Sequence, residues 1–225
     1  MTRIALLLLA VSLATAQTQP NNTIQASGSA TRNVKPDMAQ LSIGVVTQAA
    51  TAQAAADQNA TLADAVIKAL QAVLGTSGTI ETLYYSISPR YSNPTNTQPA
   101  VLIGYTVSNT VQVTTNNVAL VGQLIDAGNA AGANSVNGPT FGLQNPEPET
   151  QLALAAAAKQ ALAHATAIAS GLGAKTGAVV SAQEASTVTP ILTGTGSFQG
   201  ATATPIQTGT VTVSAHVTVT VAMVQ

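Results

Sequence analysis

The stretch from Thr210 to Val221 reads TVTVSAHVTVTV. Val211, Val213, Ala215, Val217, Val219 and Val221 share one face of an extended chain, and Thr210, Thr212, Ser214, His216, Thr218 and Thr220 share the other. Alternation of this kind marks an antiparallel strand with one dry side and one wet side. A strand like this needs a cover, so the rest of the chain must supply elements that pack on an apolar Val face.

Similar strands recur. Tyr105, Val107, Val111 and Val113 alternate with Thr106, Ser108, Thr110, Gln112 and Thr114. Leu41, Ile43 and Val45 form a third set, and Leu83, Tyr85, Ile87 and Tyr91 a fourth. Between them lie Ala-rich segments with helical spacing. Thr51 to Leu74 offers Leu62, Val66, Ala69 or Leu70, and Val73, and stops at Gly75 and Gly78. From about Pro146 the positions Leu154, Ala158, Ala161, Ala165, Ile168 and Leu172 recur, with Glu147 and Glu149 in the first turn and Gly171 and Gly173 at the end. Each helix would be on the order of 35 Å long, enough to lie across a sheet. A shorter helix is expected over Val118–Ala131.

The order strand (39–49), long helix, strand (79–91), strand (101–115) is followed, after the short helix, by strand (134–144), long helix, strand (175–188), strand (207–224). The expected fold class is α+β: two βαββ-like units, with antiparallel sheets packed by two long Ala-rich helices plus a shorter connecting helix. The stretches 39–115 and 134–224 are candidates for a pseudo-repeat. Two loops stand out, 92–100 and the Gly/Thr/Pro-rich 189–209, where Phe198 is one of two phenylalanines.

Thr2-Arg3, the apolar run Ile4–Leu13 and Ala14-Thr15-Ala16 fit a signal peptide over residues 1–16, cleaved after Ala16. No later segment is expected to cross a bilayer, so residues 17–225 would form one soluble domain in the periplasm or secreted. Charged side chains are scarce, 7% of the chain against roughly 25% in an average domain. No basic footprint for nucleic acid is present. A weakly charged Thr/Asn/Gln/Ser surface repels itself poorly, which favours self-association or reflects the habitat of the source. With no cysteine, disulfides, thiolate nucleophiles and iron–sulfur clusters are excluded.

The residues that could do chemistry are few. His164 and His216 are the only histidines, and neither sits in a metal-ligand spacing. The eight carboxylates are dispersed, with no obvious acid/base pair. In SGSATRNVKPD (Ser27–Asp37), Gly28 lacks the Gly-Lys-Ser/Thr of a phosphate loop. Pro36 and Asp37 there read as a corner between a strand-like run, Ile24–Arg32, and the Leu41 strand. Asn59-Ala60-Thr61 matches a glycosylation pattern but lies mid-helix. No catalytic, cofactor-binding or metal residue is singled out.

The segments ASGSATRNVKPDMAQLSIGVVTQAATAQAA, TLYYSISPRY, GYTVSNTVQVTT and VGQLIDAGNAAGANSVNGPTFGL, then the Ala-rich helix and the strand after PIQTG, together resemble the SIMPL domain family. Its members are described as bacterial periplasmic immunogenic or oxidative-stress-defence proteins. The resemblance implies export, an α+β fold and assembly into a homo-oligomer, and it carries no catalytic residues. The leading expectation is a non-enzymatic envelope scaffold with an indirect role in stress tolerance, associated with the envelope without a transmembrane segment. A binding module using Tyr84, Tyr85, Tyr91 and Tyr105 as a platform, and an undetected hydrolase using the histidines and Asp37, are the other readings.

Overall fold

The computed structural model describes residues 22–94, 99–191 and 204–225. The signal-peptide segment, residues 95–98 and Phe198 lie outside the described residues. The elements are β1 (Thr23–Val34), β2 (Met38–Ala49), α1 (Ala52–Leu74), β3 (Gly78–Tyr91) and β4 (Leu102–Thr115), then α2 (Val121–Ala130), β5 (Ser135–Gly142), α3 (Glu147–Gly171), β6 (Lys175–Ile191) and β7 (Thr210–Val224). A single 3-10 turn, Val118–Leu120, opens the short helix.

The fold is α+β, with two antiparallel sheets ordered β1-β7-β6 and β3-β4-β2-β5. The strand–helix–strand–strand order occurs twice along the chain, but the hydrogen bonding does not follow it. β5, which opens the second stretch, pairs with β2 of the first. Its place beside β7 is taken by β1, paired from Thr23 with Ala222 to Val34 with Val211. Each sheet therefore draws strands from both candidate repeats or from the chain before them. Local periodicity specifies that a strand forms and which face is dry, but not which distant strand it joins.

The Val face of β7 behaves as its pattern requires: Val211, Val213, Ala215, Val217, Val219 and Val221 are all buried. The cover is α3, but not by the face expected. Its buried residues are Ala153, Ala157, Ala161, Ala165 and Ala169, one every four residues. Of the expected stripe only Ala161 and Ala165 are buried, while Ile168 and Leu172 are 43% and 67% exposed. The reason lies in β1. A β-carbon added to Gly28 would stand 2.2 Å from Ala157 O and 2.4 Å from Ala161 N. The helix backbone rests on the strand backbone, so only the smallest side chains fit between, and the larger ones turn outward.

By length and composition α3 is also apolar enough to cross a bilayer, with a mean hydropathy of 1.3 over its best 18-residue window. That corrects the expectation that no later segment is. In the fold its Ala row packs against β1 and β7.

The four-stranded layer is built from larger residues. Leu41, Ile43 and Val45 of β2 meet Val66, Leu70 and Leu74 of α1, Val121 and Leu124 of α2, and Phe141 of β5. The buried row of α1 is Ala55, Asn59, Ala63, Val66, Leu70 and Leu74, so Val66 and Leu70 match the expected stripe while Leu62 is exposed. Thr51 caps the helix, its Oγ1 accepting from Ala54 N at 3.2 Å, and Gly75 (φ 54°) ends it.

Candidate functional site

The Ser27–Asp37 stretch is structural in each of its parts. Gly28 makes room for α3. Ser29 N donates to Gln160 Oε1 at 2.7 Å, which satisfies one donor on β1 from the covering helix. Arg32 Nε and Glu149 Oε2 form an ion pair at 2.6 Å, tying β1 to the first turn of α3. Asp37 N donates to Gly142 O at 3.1 Å, and Asp37 Oδ1 accepts from Gln144 N at 2.7 Å. This carboxylate joins the two places where the chain passes between layers, from β1 to β2 and from β5 to α3.

His164 Nδ1 lies 2.8 Å from Ser27 O. A carbonyl only accepts, so that nitrogen holds the proton and is not free to act as a base. His216, on the Thr face of β7, has Nε2 3.4 Å from Thr218 Oγ1, which in turn lies 3.0 Å from Ser27 Oγ. Among the described residues, no carboxylate takes part in these contacts. Among the described residues, no three His, Cys, Asp or Glu side chains gather as a metal would need.

Two polar arrangements escaped the sequence reading. Asn59 is fully buried in α1, and its Nδ2 donates to Val45 O at 2.9 Å and to Val107 O at 3.3 Å, pinning the helix to β2 and β4. Such a position cannot carry a glycan in the folded chain. The signal was present, because Asn59 sits on the row from Ala55 to Leu74, but an apolar search passes over it. Asp126 of α2 accepts from Thr204 twice, at Oδ1 from the hydroxyl (2.5 Å) and at Oδ2 from the backbone amide (2.9 Å). These bonds, the hydroxyl first, hold its carboxyl below the ordinary 3.8. With the partners 78 positions apart in the chain, no local pattern announces the contact.

Of the four tyrosines, Tyr105 is half-buried, and Tyr84, Tyr85 and Tyr91 are exposed. Adjacent Tyr84 and Tyr85 point to opposite faces of β3, so the four do not form one platform. They belong to a different feature. β3 is one edge strand of its sheet, β5 being the other. A bulge between Thr82 and Tyr84 shifts Leu83 out of the expected alternation. Leu83, Tyr84, Tyr85, Ile87 and Tyr91 are between 44% and 58% exposed, and Val101, Leu102 and Ile103 continue the apolar surface on β4 and just before it. A groove of about 380 Å³ between α3 and β6 is lined by Leu154, Ala158, Ala182, Glu184 and Val217.

The SIMPL family model, described as a protein of unknown function (DUF541), matches residues 24–221. The chain belongs to the SIMPL family. The match runs from the second residue of β1 into β7, so the SIMPL region contains both sheets, the β1–β7 pairing and the exposed β3 edge. Two similar proteins are each called a 26 kDa periplasmic immunogenic protein. One is from Brucella melitensis biotype 1 and the other from Brucella abortus strain S19. Each is 29% identical to this chain over 172 residues, which is 75% of this chain and 68% of the relative.

Proposed function

We propose that this SIMPL protein is exported and acts outside the cytoplasm as a non-enzymatic scaffold built from copies of itself, with an indirect part in the envelope's tolerance of oxidative stress. The observation that carries the reading is the β3 edge: a strand with unpaired backbone groups and five exposed large apolar side chains. Soluble single chains blunt such edges or cover them, and a second copy is a cover always at hand. The scarcity of charge favours the same outcome. Export is supported by the N-terminal leader pattern and by the periplasmic naming of both relatives. The stress role rests on the family resemblance and is indirect on chemical grounds. With no Cys, and Met38 and Met223 the only methionines after residue 16, the chain has little sulfur to oxidise.

Size-exclusion chromatography with light scattering on residues 17–225 tests the reading. A defined assembly of several copies is expected, and a strict monomer at high concentration overturns it.

A further inference from the structure

We propose that two copies join through β3, paired antiparallel across a two-fold axis at Ser86. The proposal rests on the self-assembly reading and specifies its contact.

Glu81 and Arg90 are the only charged residues of β3. Nine residues apart on a regular strand, they would point to opposite faces. The bulge between Thr82 and Tyr84 removes that mismatch. Glu81 pairs with Gln112 of β4 and Arg90 with Gly104, both on the face opposite the buried Val107, Val111 and Val113. Glu81, Tyr84 and Arg90 therefore share the face turned away from α1. Among the described residues neither charge is in a salt bridge.

The free edge is defined as well. Ser92 N donates to Val101 O at 2.8 Å, continuing the β3–β4 ladder. Counting back by twos, the even-numbered residues from Arg90 to Tyr84 turn their backbone groups toward β4. Pro89, which has no N–H to give, falls among the odd-numbered residues, as it must. The amides and carbonyls of Tyr85 and Ile87 thus point outward.

A two-fold axis at Ser86 places Tyr85 opposite Ile87 of the second copy, and Ile87 opposite its Tyr85. Both are hydrogen-bonded pairs, and both set an aromatic ring beside a β-branched side chain. With the bulge counted, the same register sets Glu81 opposite Arg90 twice over, once from each copy. Moving the axis to Ile87 would instead set Glu81 opposite Ser92 and part the charges. Self-complementarity at one register is what an isologous contact requires. Two four-stranded sheets would become one sheet of eight.

Because the chain has no cysteine, one introduced thiol reports the contact. At the axis Ser86 would face Ser86 of the other copy in a non-hydrogen-bonded pair, with Cα atoms roughly 4.5 Å apart, within disulfide reach. Ser88 would face Tyr84, leaving the two Ser88 positions about 13 Å apart along the strands. On the chain from residue 17, mild oxidation is expected to link Ser86→Cys into a covalent dimer and to leave Ser88→Cys unlinked, with melting confirming that both fold. Glu81→Arg or Arg90→Glu should each weaken dimerisation by roughly tenfold, and combining them should restore it. An unlinked Ser86→Cys in a chain that still assembles, or Ser88→Cys linking as readily, overturns this contact while leaving the scaffold reading standing. A monomeric parent chain overturns both.

Discussion

Gly28 of β1 lies directly beneath Ala157 of α3, with no space between strand and helix for a single β-carbon. The three-stranded layer depends on this closeness. Alanine buries little area per residue, so its contribution comes from the density of contact along the whole helix. Gly28→Ala would drive a methyl group into two helix backbone atoms, neither of which can rotate away. A loss of about 1–3 kcal/mol or more is expected in urea unfolding. Gly171→Ala is the matching control: a β-carbon there meets nothing within 4 Å, and stability should hold or rise slightly. Equal behaviour of the two variants would show that α3 does not press on β1 as described.

Asn59 performs the corresponding task in the four-stranded layer by hydrogen bonding. Asn59→Leu would keep the branched shape of the side chain but remove the donor to Val45 O and Val107 O and add bulk at a fully buried site. A destabilisation of roughly 1–3 kcal/mol follows from the lost bonds. Asn59 Oδ1 is itself buried without a partner, which offsets part of the native gain. Denaturant midpoints of the two proteins measure the difference, and an unchanged or raised midpoint would show that the orphaned oxygen dominates.

The Asp126–Thr204 contact predicts a pH dependence. The folded carboxyl titrates below the unfolded one because Thr204 donates to its charged form. A depressed carboxyl contributes stability above its unfolded value near 3.8, and that contribution disappears as the pH falls through the folded value. Melting of the native chain and of Asp126→Ala should therefore differ most at pH 5 and above and converge in strong acid. A gap that widens toward acid would contradict the assignment.

Much of the fold was legible residue by residue. The Val/Thr alternation placed β7, and the Leu41 and Val107 sets placed β2 and β4. The glycines at 75 and 171–173 marked the helix ends. Pro36 and Asp37 were legible as a corner, but the partner of Asp37, Gln144, lies 107 residues on and leaves no trace in local spacing. The tyrosines were visible as a group in sequence, and alternation alone would have divided Tyr84 from Tyr85. The bulge at Leu83 could not be foreseen, because it exists only in the register of β3 against β4.

The sequence by itself determined most of the elements, the dry faces of β2, β4 and β7 and the glycine ends of the long helices, because those follow from periods of two and 3.6 residues and from backbone preferences at single positions. Tertiary structure alone decided three things: that α3 turns its Ala row rather than its Leu and Ile residues to the sheet, that β1 joins the sheet of the second candidate repeat while β5 joins that of the first, and that Glu81 comes into phase with Arg90. Each depends on how closely two distant backbones approach or on how they are registered. Those quantities are set by packing and pairing between segments far apart in the chain, and neither segment carries them alone.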